Sequence, residues 1–200
     1  HESTGNAYMS CIDHVATSMD YEEMLHSVLL HRALFGMQST PSVSVSDPSG
    51  LVKSQVMQTP DKSVSFTLNS SQSAHTVSSH IRNRYAGSGV NHIALRTTDI
   101  FAVAELLQSN NTPMMDVTEN YYDDLAARFS IPEETLHQLK QFNILYDEDE
   151  NGVFYQLFTT MFEGRFCFEI VQRNGYEGFG APNSQMRMTM QARELQAETT

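Results

Sequence analysis

The sequence repeats one short pattern, and this repeat constrains the fold more than any other feature. Ile-Asp-His-Val-Ala at 12–16 and Val-Asn-His-Ile-Ala at 90–94 each place a histidine among apolar and β-branched residues. Such runs are typical of β-strands. A pattern with helical spacing follows each run, at Tyr21–Phe35 before Gly36 and at Ile100–Gln108. The sequence therefore predicts two strand–helix modules in tandem.

The two repeated histidines and one later acid are candidates for a metal site. His14, His92 and Glu169 lie in apolar strand segments, where a polar side chain is costly to bury without a partner. A lone strand histidine is more often a hydrogen-bonded core residue than a ligand, and a strand glutamate more often faces solvent. The repeat favours a metal, because one shared ion would satisfy all three groups. Two imidazoles and a carboxylate with open positions are typical of non-haem Fe(II) oxygenases.

Alternating segments and turn signals predict an α+β fold of two β-α-β-β-β modules. Further strands are expected at 42–46, 51–58, 63–69, 114–115, 143–147, 153–160 and 165–172, with an inserted helical stretch that starts around Pro132. Side by side, the modules would form a half-open, eight-stranded barrel around a cavity. The expected divisions are a disordered or tag-like segment at 1–9 and one domain at 10–200, which comprises module one at 10–70, a polar linker at 70–88, module two at 89–173, and a C-terminal loop and helix at 174–200.

Composition excludes several classes of function. A net charge of −12 and a pI near 4.9 argue against nucleic acid or an anionic membrane as a partner. No window has the apolar length of a membrane span, and residues 1–10 lack the apolar core of a secretory signal, so a cytoplasmic location is expected. Cys11 and Cys167 lie in apolar segments and are expected to be buried, reduced thiols rather than a disulfide framework.

Six ordered motifs resemble the catalytic, C-terminal half of the 4-hydroxyphenylpyruvate dioxygenase family, in the vicinal oxygen chelate superfamily. They are His-Ile-Ala-Leu at 92–95, Asn-Tyr-Tyr-Asp-Asp-Leu at 120–125, Asn-Ile-Leu-Tyr-Asp at 143–147, Tyr-Gln-Leu-Phe-Thr at 155–159, Phe-Glu-Ile-Val-Gln-Arg at 168–173 and Gly-Phe-Gly-Ala at 178–181. The resemblance implies Fe(II) held by His14, His92 and Glu169. It further implies O2 and an aryl 2-oxo acid as small-molecule substrates, with the acid bound to the metal through its carboxylate and keto oxygens, and a homo-oligomer.

The same resemblance implies which residues contact the substrate. Ser54, Asn69, Asn91 and Gln156 would supply polar contacts, Phe158 and Phe179 would shape the ring site, and Asn183 would lie on the loop before the closing helix. Ordinary structural roles stay open for them, because small polar residues are common in strands and Phe179 could be plain core. In glyoxalase-like relatives the last strand of the first module adds a metal ligand. Here residues 63–69 offer no histidine or carboxylate, which favours a site with three protein ligands.

Departures from the family pattern concern the substrate rather than the metal. Asn91 stands where the family has glutamine, Cys167 where it has an aromatic residue, Thr67 where it has proline and Ser184 where it has phenylalanine. Loss of aromatic contacts removes about 1 kcal/mol or more of stacking per pair beyond burial. We therefore expect poor turnover of 4-hydroxyphenylpyruvate itself.

These departures also resemble a narrower group, the dioxygenase-like domain of bacterial bifunctional 3-dehydroshikimate dehydratases. That resemblance implies that a further, N-terminal domain precedes this one in the full protein. Two functions follow as hypotheses. The first is an Fe(II)-dependent oxygenase acting on an aryl 2-oxo acid. The second is a non-catalytic or altered-specificity metal-binding accessory domain of a dehydratase fusion.

Overall fold

The computed structural model describes residues 8–197, which form one mixed α+β fold. The strands are β1 Cys11–Met19, β2 Gln38–Ser39, β3 Val43–Asp47, β4 Gly50–Gln58, β5 Ser65–Ser70, β6 Gly89–Arg96, β7 Leu145–Asp149, β8 Gly152–Phe158 and β9 Cys167–Asn174. The helices are α1 Tyr21–Phe35, α2 Val77–Tyr85, α3 Ile100–Ser109, α4 Glu119–Arg128, α5 Glu133–Gln141 and α6 Ser184–Ala197. Residues 1–7 of the segment 1–9, which is expected to be disordered or tag-like, lie outside the described range. No helix within 8–197 combines the length and apolarity that a membrane crossing requires.

A single curled sheet carries the two modules in mirrored order. The strand order is β2-β4-β5-β1-β6-β9-β8-β7, with β3 also paired to β4. β1 and β6 meet in the middle as an antiparallel pair, and each has the last strand of its own module as a parallel neighbour on its other side. The predicted half-open barrel of tandem modules is confirmed, and its two histidine strands are adjacent at the centre.

The edge strand of each module is interrupted at the corresponding place. In module one, β2 pairs with the end of β4 and β3 with its beginning, across a short break at 40–42. In module two, Met114 bridges to Thr159 just beyond β8, while β7 pairs with the beginning of that strand. The second break holds helices α4 and α5. The inserted helical stretch therefore enlarges an interruption that both modules share, and the short strand expected at 114–115 is a single bridge.

Local signals explain which helix predictions succeed. The bounds of α1 are confirmed, with acidic residues in its first turn and Gly36 in the left-handed conformation after its last residue. The linker expected at 70–88 instead contains α2, because the Thr76 side chain caps that helix by accepting a hydrogen bond from the Ser79 amide. Pro132 lies at the N-cap of α5 rather than inside its first turn.

Burial follows the sheet faces. α1 covers a small core that includes Met24 and Met57, whereas its Leu25 is 45% exposed. The larger core packs α3 to α6 against module two and extends to Val45 and Val52 of module one and to α2. Cys11 is exposed and Cys167 is buried, so the expectation of burial is wrong for Cys11, and both are free thiols. The expected homo-oligomer stays a prediction.

Candidate metal centre

Two β-bulges place the repeated histidines at the centre of the sheet. Along the β1–β6 pair, Ile12 and His14 face consecutive residues of β6, so Asp13 is an extra residue on β1. Ala16 pairs with His92 and the next residue of β1 pairs with Val90, so Asn91 is the extra residue on β6. A bulge re-aims the side chains around it. Each histidine is therefore preceded by a bulged polar residue, in a pseudo-symmetric arrangement.

The three predicted ligands converge on one point. The Nε2 atoms of His14 and His92 lie 3.3 and 3.2 Å from the same Glu169 oxygen, Oε2. One ligand atom from each residue lies within 4.8 Å of the others, and all three side chains are buried. A divalent ion between these atoms would replace close contacts among buried polar groups with metal–ligand bonds. The geometry thus fits the donor set that the sequence predicts.

Asp13 orients His14. Its Oδ1 lies 2.9 Å from His14 Nδ1, so the ring donates there and leaves Nε2 free for a metal. The Asp13 carboxylate also accepts hydrogen bonds from the guanidinium groups of Arg96 and Arg173 at 2.6 to 2.9 Å. These contacts outweigh the effect of burial and hold the pKa of Asp13 well below its usual value. A carboxylate that is ionised at neutral pH therefore backs the first histidine.

Asn91 takes the corresponding position behind His92 but is bonded differently. Its Nδ2 donates to Ser18 Oγ at 2.9 Å, while its Oδ1 and the Nδ1 of His92 are both buried without a partner in the described structure. The sequence suggested that Asn91 contacts substrate, yet its side chain does not line the cavity. The bulge places it beside Ser18 instead.

A chain of amides and hydroxyls orients Glu169. Gln156 Nε2 donates to Glu169 Oε1 at 2.8 Å, and Asn183 Nδ2 donates to Gln156 Oε1 at 2.9 Å. The hydroxyl of Tyr121, on α4, lies 3.0 Å from Asn183 Oδ1 and also binds the backbone of Tyr146. This series of hydrogen bonds occupies Glu169 Oε1 and leaves Glu169 Oε2 facing the histidines. It also gives structural roles to residues of the motifs at 120–125 and 155–159.

Burial and mutual attraction set the protonation of the ligands. Burial lowers the pKa of His92 to about 4, so this ring is neutral at pH 7. Burial also disfavours charge on His14, but the negative charge of Glu169 and the hydrogen bond to Asp13 raise its pKa above the usual value. For Glu169, the attraction of His14 outweighs burial and lowers the pKa. The metal-free site therefore favours a protonated His14 beside an ionised Glu169, and a metal ion bound at His14 Nε2 would displace that proton.

The corresponding position of module one holds no fourth ligand. Ala94 pairs with Glu169 on β9, and Ala16, two residues after His14, pairs with Thr67 on β5. Thr67 therefore occupies the place that is pseudo-symmetric to Glu169, and its side chain lines the cavity. A threonine hydroxyl is not among the common protein ligands for iron or zinc. The metal would keep open positions on this side.

A cavity of about 470 Å³ opens in front of the three ligands. Its size is within the range of small-molecule sites. Four of the residues assigned to substrate line it with the ligands, namely Ser54, Asn69, Gln156 and Phe179. Asn91, Phe158 and Asn183 do not: the Phe158 ring packs edge-on against His92, and Asn183 acts through Gln156.

The substituted positions differ in what they do to the cavity. Ser184, at the start of α6, lines it, so a small residue there widens the substrate space. Cys167 is fully buried outside the cavity, with its Sγ 3.9 Å from Gln191 Nε2 of α6. The aromatic residue that the family has at this position is therefore not replaced by open space in front of the metal, because α6 covers Cys167.

Sequence reasoning missed Arg187, a charged residue that α6 presents to the cavity. Its residue surface is 8% exposed, and its NH1 donates to Gln191 Oε1 at 3.1 Å. Ser184, Arg187 and Gln191 follow helical spacing and form a polar stripe on α6, beside the buried Met188 and Met190. This spacing is the sequence signal that could have identified Arg187.

Comparison with known proteins identifies relatives along nearly the whole chain. No protein-family model matches. A 3-dehydroshikimate dehydratase from Pseudomonas putida is 37% identical over 195 residues, 96% of this chain and 31% of the relative. A 4-hydroxyphenylpyruvate dioxygenase from Coccidioides posadasii is 34% identical over 183 residues, 86% of this chain and 46% of the relative. The chain thus spans about a third to a half of these relatives.

Two solved structures show the same fold. A fusion of a xylose isomerase-like TIM barrel and a 4-hydroxyphenylpyruvate dioxygenase matches with a TM-score of 0.79 and 36% identity, over 92% of this chain and 30% of that one. A variant of 4-hydroxymandelate synthase from Streptomyces coelicolor matches with a TM-score of 0.86 at 24% identity, over 94% of this chain and 55% of that one. By sequence, this chain is a homologue of 3-dehydroshikimate dehydratases and 4-hydroxyphenylpyruvate dioxygenases, and its fold is the vicinal oxygen chelate fold.

Proposed function

We propose that this chain is an Fe(II)-dependent oxygenase domain that acts on an aryl 2-oxo acid. The observation that carries the proposal is the buried group of His14, His92 and Glu169, beside which a cavity opens. Imidazole and carboxylate donors suit Fe(II), and the place where a fourth protein ligand would lie holds Thr67. When bound there, Fe(II) would supply the activation of O2 and the chelation of the 2-oxo acid.

The residues around the ligands have separable tasks in this proposal. Asp13 fixes the tautomer of His14, and Gln156 fixes the orientation of Glu169 through an amide that is engaged at both ends. Asn69 uses its amide nitrogen on the backbone carbonyls of Thr17 and Thr67, so a substrate contact falls to its amide oxygen.

The cavity wall suits an organic acid with an apolar body. Ser54 lies opposite Asn69 on the neighbouring strand, and valines of β3 and β4 form the adjoining apolar wall. The Phe179 ring lines the cavity and meets the His14 ring edge-on, with centroids 5.2 Å apart.

A second candidate function is a metal-binding accessory domain of a dehydratase. The observation that favours it is that relatives with up to 40% identity are 3-dehydroshikimate dehydratases, of which this chain spans less than a third. The small residue at Ser184 also removes an aromatic wall that the parent family uses. In this case the metal site would be retained without 2-oxo acid turnover.

Oxygen uptake separates the two candidates. The Fe(II)-loaded chain is mixed with phenylpyruvate, 4-hydroxyphenylpyruvate and other aryl 2-oxo acids, and the Glu169→Ala variant serves as the control. The proposal expects uptake with at least one acid, weak uptake with 4-hydroxyphenylpyruvate, and none with the variant. No uptake across the panel by chain that retains iron would contradict the oxygenase and favour the accessory domain.

A further inference from the structure

The cavity contains a buried cation that the proposed oxygen chemistry does not use. Arg187 lies on the inner face of α6, and its side chain lines the same cavity as the three metal ligands. The other Arg or Lys side chain at this cavity, Lys62, is 55% exposed at the rim and is paired with Glu177 at 2.8 Å. Arg187 is therefore the buried positive charge of the cavity wall.

No carboxylate of the described residues forms an ion pair with Arg187. The hydrogen bond that the structure gives its guanidinium is to the neutral amide of Gln191. Glu169 and Asp47 attract Arg187 electrostatically, but both are engaged elsewhere. Asp47 accepts hydrogen bonds from the backbone amides of Ser49 and of Val77, the first residue of α2.

An unpaired guanidinium in this position is costly. Arginine stays protonated in proteins, so it does not escape the cost of burial by losing its proton. Charges are found buried where they are paired or bind a ligand. A planar guanidinium with free donors matches the two oxygens of a carboxylate. The open side of Arg187 faces the cavity, so the missing anion would come from a bound molecule.

The charge balance of the site supports the same reading. A divalent ion and Arg187 together outweigh the single negative charge of Glu169, because Asp13 is already neutralised by Arg96 and Arg173. A 2-oxo acid with one carboxylate would neutralise part of this excess at the metal. A second acidic group would neutralise the remainder at Arg187.

We propose that Arg187 binds a second anionic group of the substrate, so that the chain selects 2-oxo acids with a carboxylate remote from the 2-oxo acid group. This inference rests on the proposed function and narrows its substrate class. Arg187 is then a specificity-determining residue, and the polar stripe of α6 takes the place of an aromatic wall. Ser184, one turn earlier on α6, leaves room for the second acidic group.

Binding measurements on the Fe(II)-loaded chain without O2 test the inference. Calorimetry compares three dicarboxylic 2-oxo acids with monocarboxylic counterparts: 2-oxoglutarate with 2-oxopentanoate, 2-oxoadipate with 2-oxohexanoate, and 4-carboxyphenylpyruvate with phenylpyruvate. We expect at least one dicarboxylic acid to bind about 30-fold or more tightly than its counterpart. Arg187→Leu should abolish that preference and leave the monocarboxylic acids within about threefold, whereas Arg187→Lys should retain part of it.

Lys62→Met is the matched control, because it removes the exposed cation of the same cavity and should keep the preference. Melting without ligand separates binding from a structural role: Arg187→Leu should melt no lower than the parent, since it removes an unpaired buried charge. A preference for the dicarboxylic acid that survives Arg187→Leu, or no such preference in any of the three pairs, would overturn the inference. If the monocarboxylic acids still bind in that case, the proposed function stands. No binding by any of the six acids would overturn both.

Discussion

Gly180 packs directly against the amide that orients Glu169, and its replacement by alanine tests how the metal site is held. Its φ of +63° lies in the left-handed region, and an added Cβ would lie 2.4 Å from Gln156 Oε1 and 2.8 Å from Gln156 Cδ. Gly36 has nearly the same φ, +62°, with nothing within 4 Å of an added Cβ. Gly36→Ala is therefore a matched control for the backbone cost alone.

The magnitude follows from the contacts. A left-handed alanine costs about 1–2 kcal/mol at either position. Displacing the Gln156 amide also breaks its bonds to Glu169 and Asn183, which adds roughly 2–4 kcal/mol, since bonds to charged groups are the stronger ones. With Glu169 free to turn, metal affinity should fall about 10–100-fold in Gly180→Ala.

Denaturant unfolding of the metal-free proteins and metal titration of the folded ones measure the two effects. We expect Gly36→Ala to lose only the backbone contribution and to bind metal like the parent. Equal losses of stability in the two variants, together with unchanged metal affinity in Gly180→Ala, would refute the reasoning that the Gln156 amide holds Glu169 in place.

Four further substitutions have definite expected outcomes. Asp13→Asn should weaken metal binding by about 10–100-fold in a titration. In the parent, the folded pKa of Asp13 lies below the ordinary 3.8, so the stabilisation that this carboxylate contributes is present above that pH and is lost as the pH falls. The free energy of unfolding of the variant should therefore fall less steeply than that of the parent below about pH 4. Thr67→Glu should add a fourth ligand, which calorimetry would detect as tighter metal binding and lost phenylpyruvate binding; unchanged affinities would contradict the pseudo-symmetry. Ser184→Phe should raise phenylpyruvate affinity by up to about tenfold, whereas Cys167→Phe should lower stability by about 1–3 kcal/mol through overpacking under α6; the reverse pattern in binding and melting experiments would contradict the placement of these residues.

The metal ligands and the modular fold could be predicted from the sequence because both have local signals. His14 and His92 lie in repeated strand patterns, and the alternation around Glu169 places it on one face of a strand. Adjacent parallel and antiparallel partners then bring the three side chains together. The family motifs added the order of the strands along the chain.

The parts that sequence reasoning missed depend on pairing between distant strands. An extra residue in a ladder has no local signature, so nothing indicated that Asp13 would reach the neighbouring His14 ring or that Asn91 would turn to Ser18. The covering of Cys167 by α6 likewise depends on how a helix lies across the sheet. Arg187 is buried on α6, whereas most arginines on helices are exposed.

The most direct test of the central claim is the metal content of the purified chain after Fe(II) loading without O2 and removal of unbound ion. The account predicts one ion per chain in the parent, loss of binding in His92→Ala and Glu169→Ala, and retention in His137→Ala, a histidine on α5 outside the ligand group. Equal iron in all four proteins, or none in the parent, would contradict the metal centre.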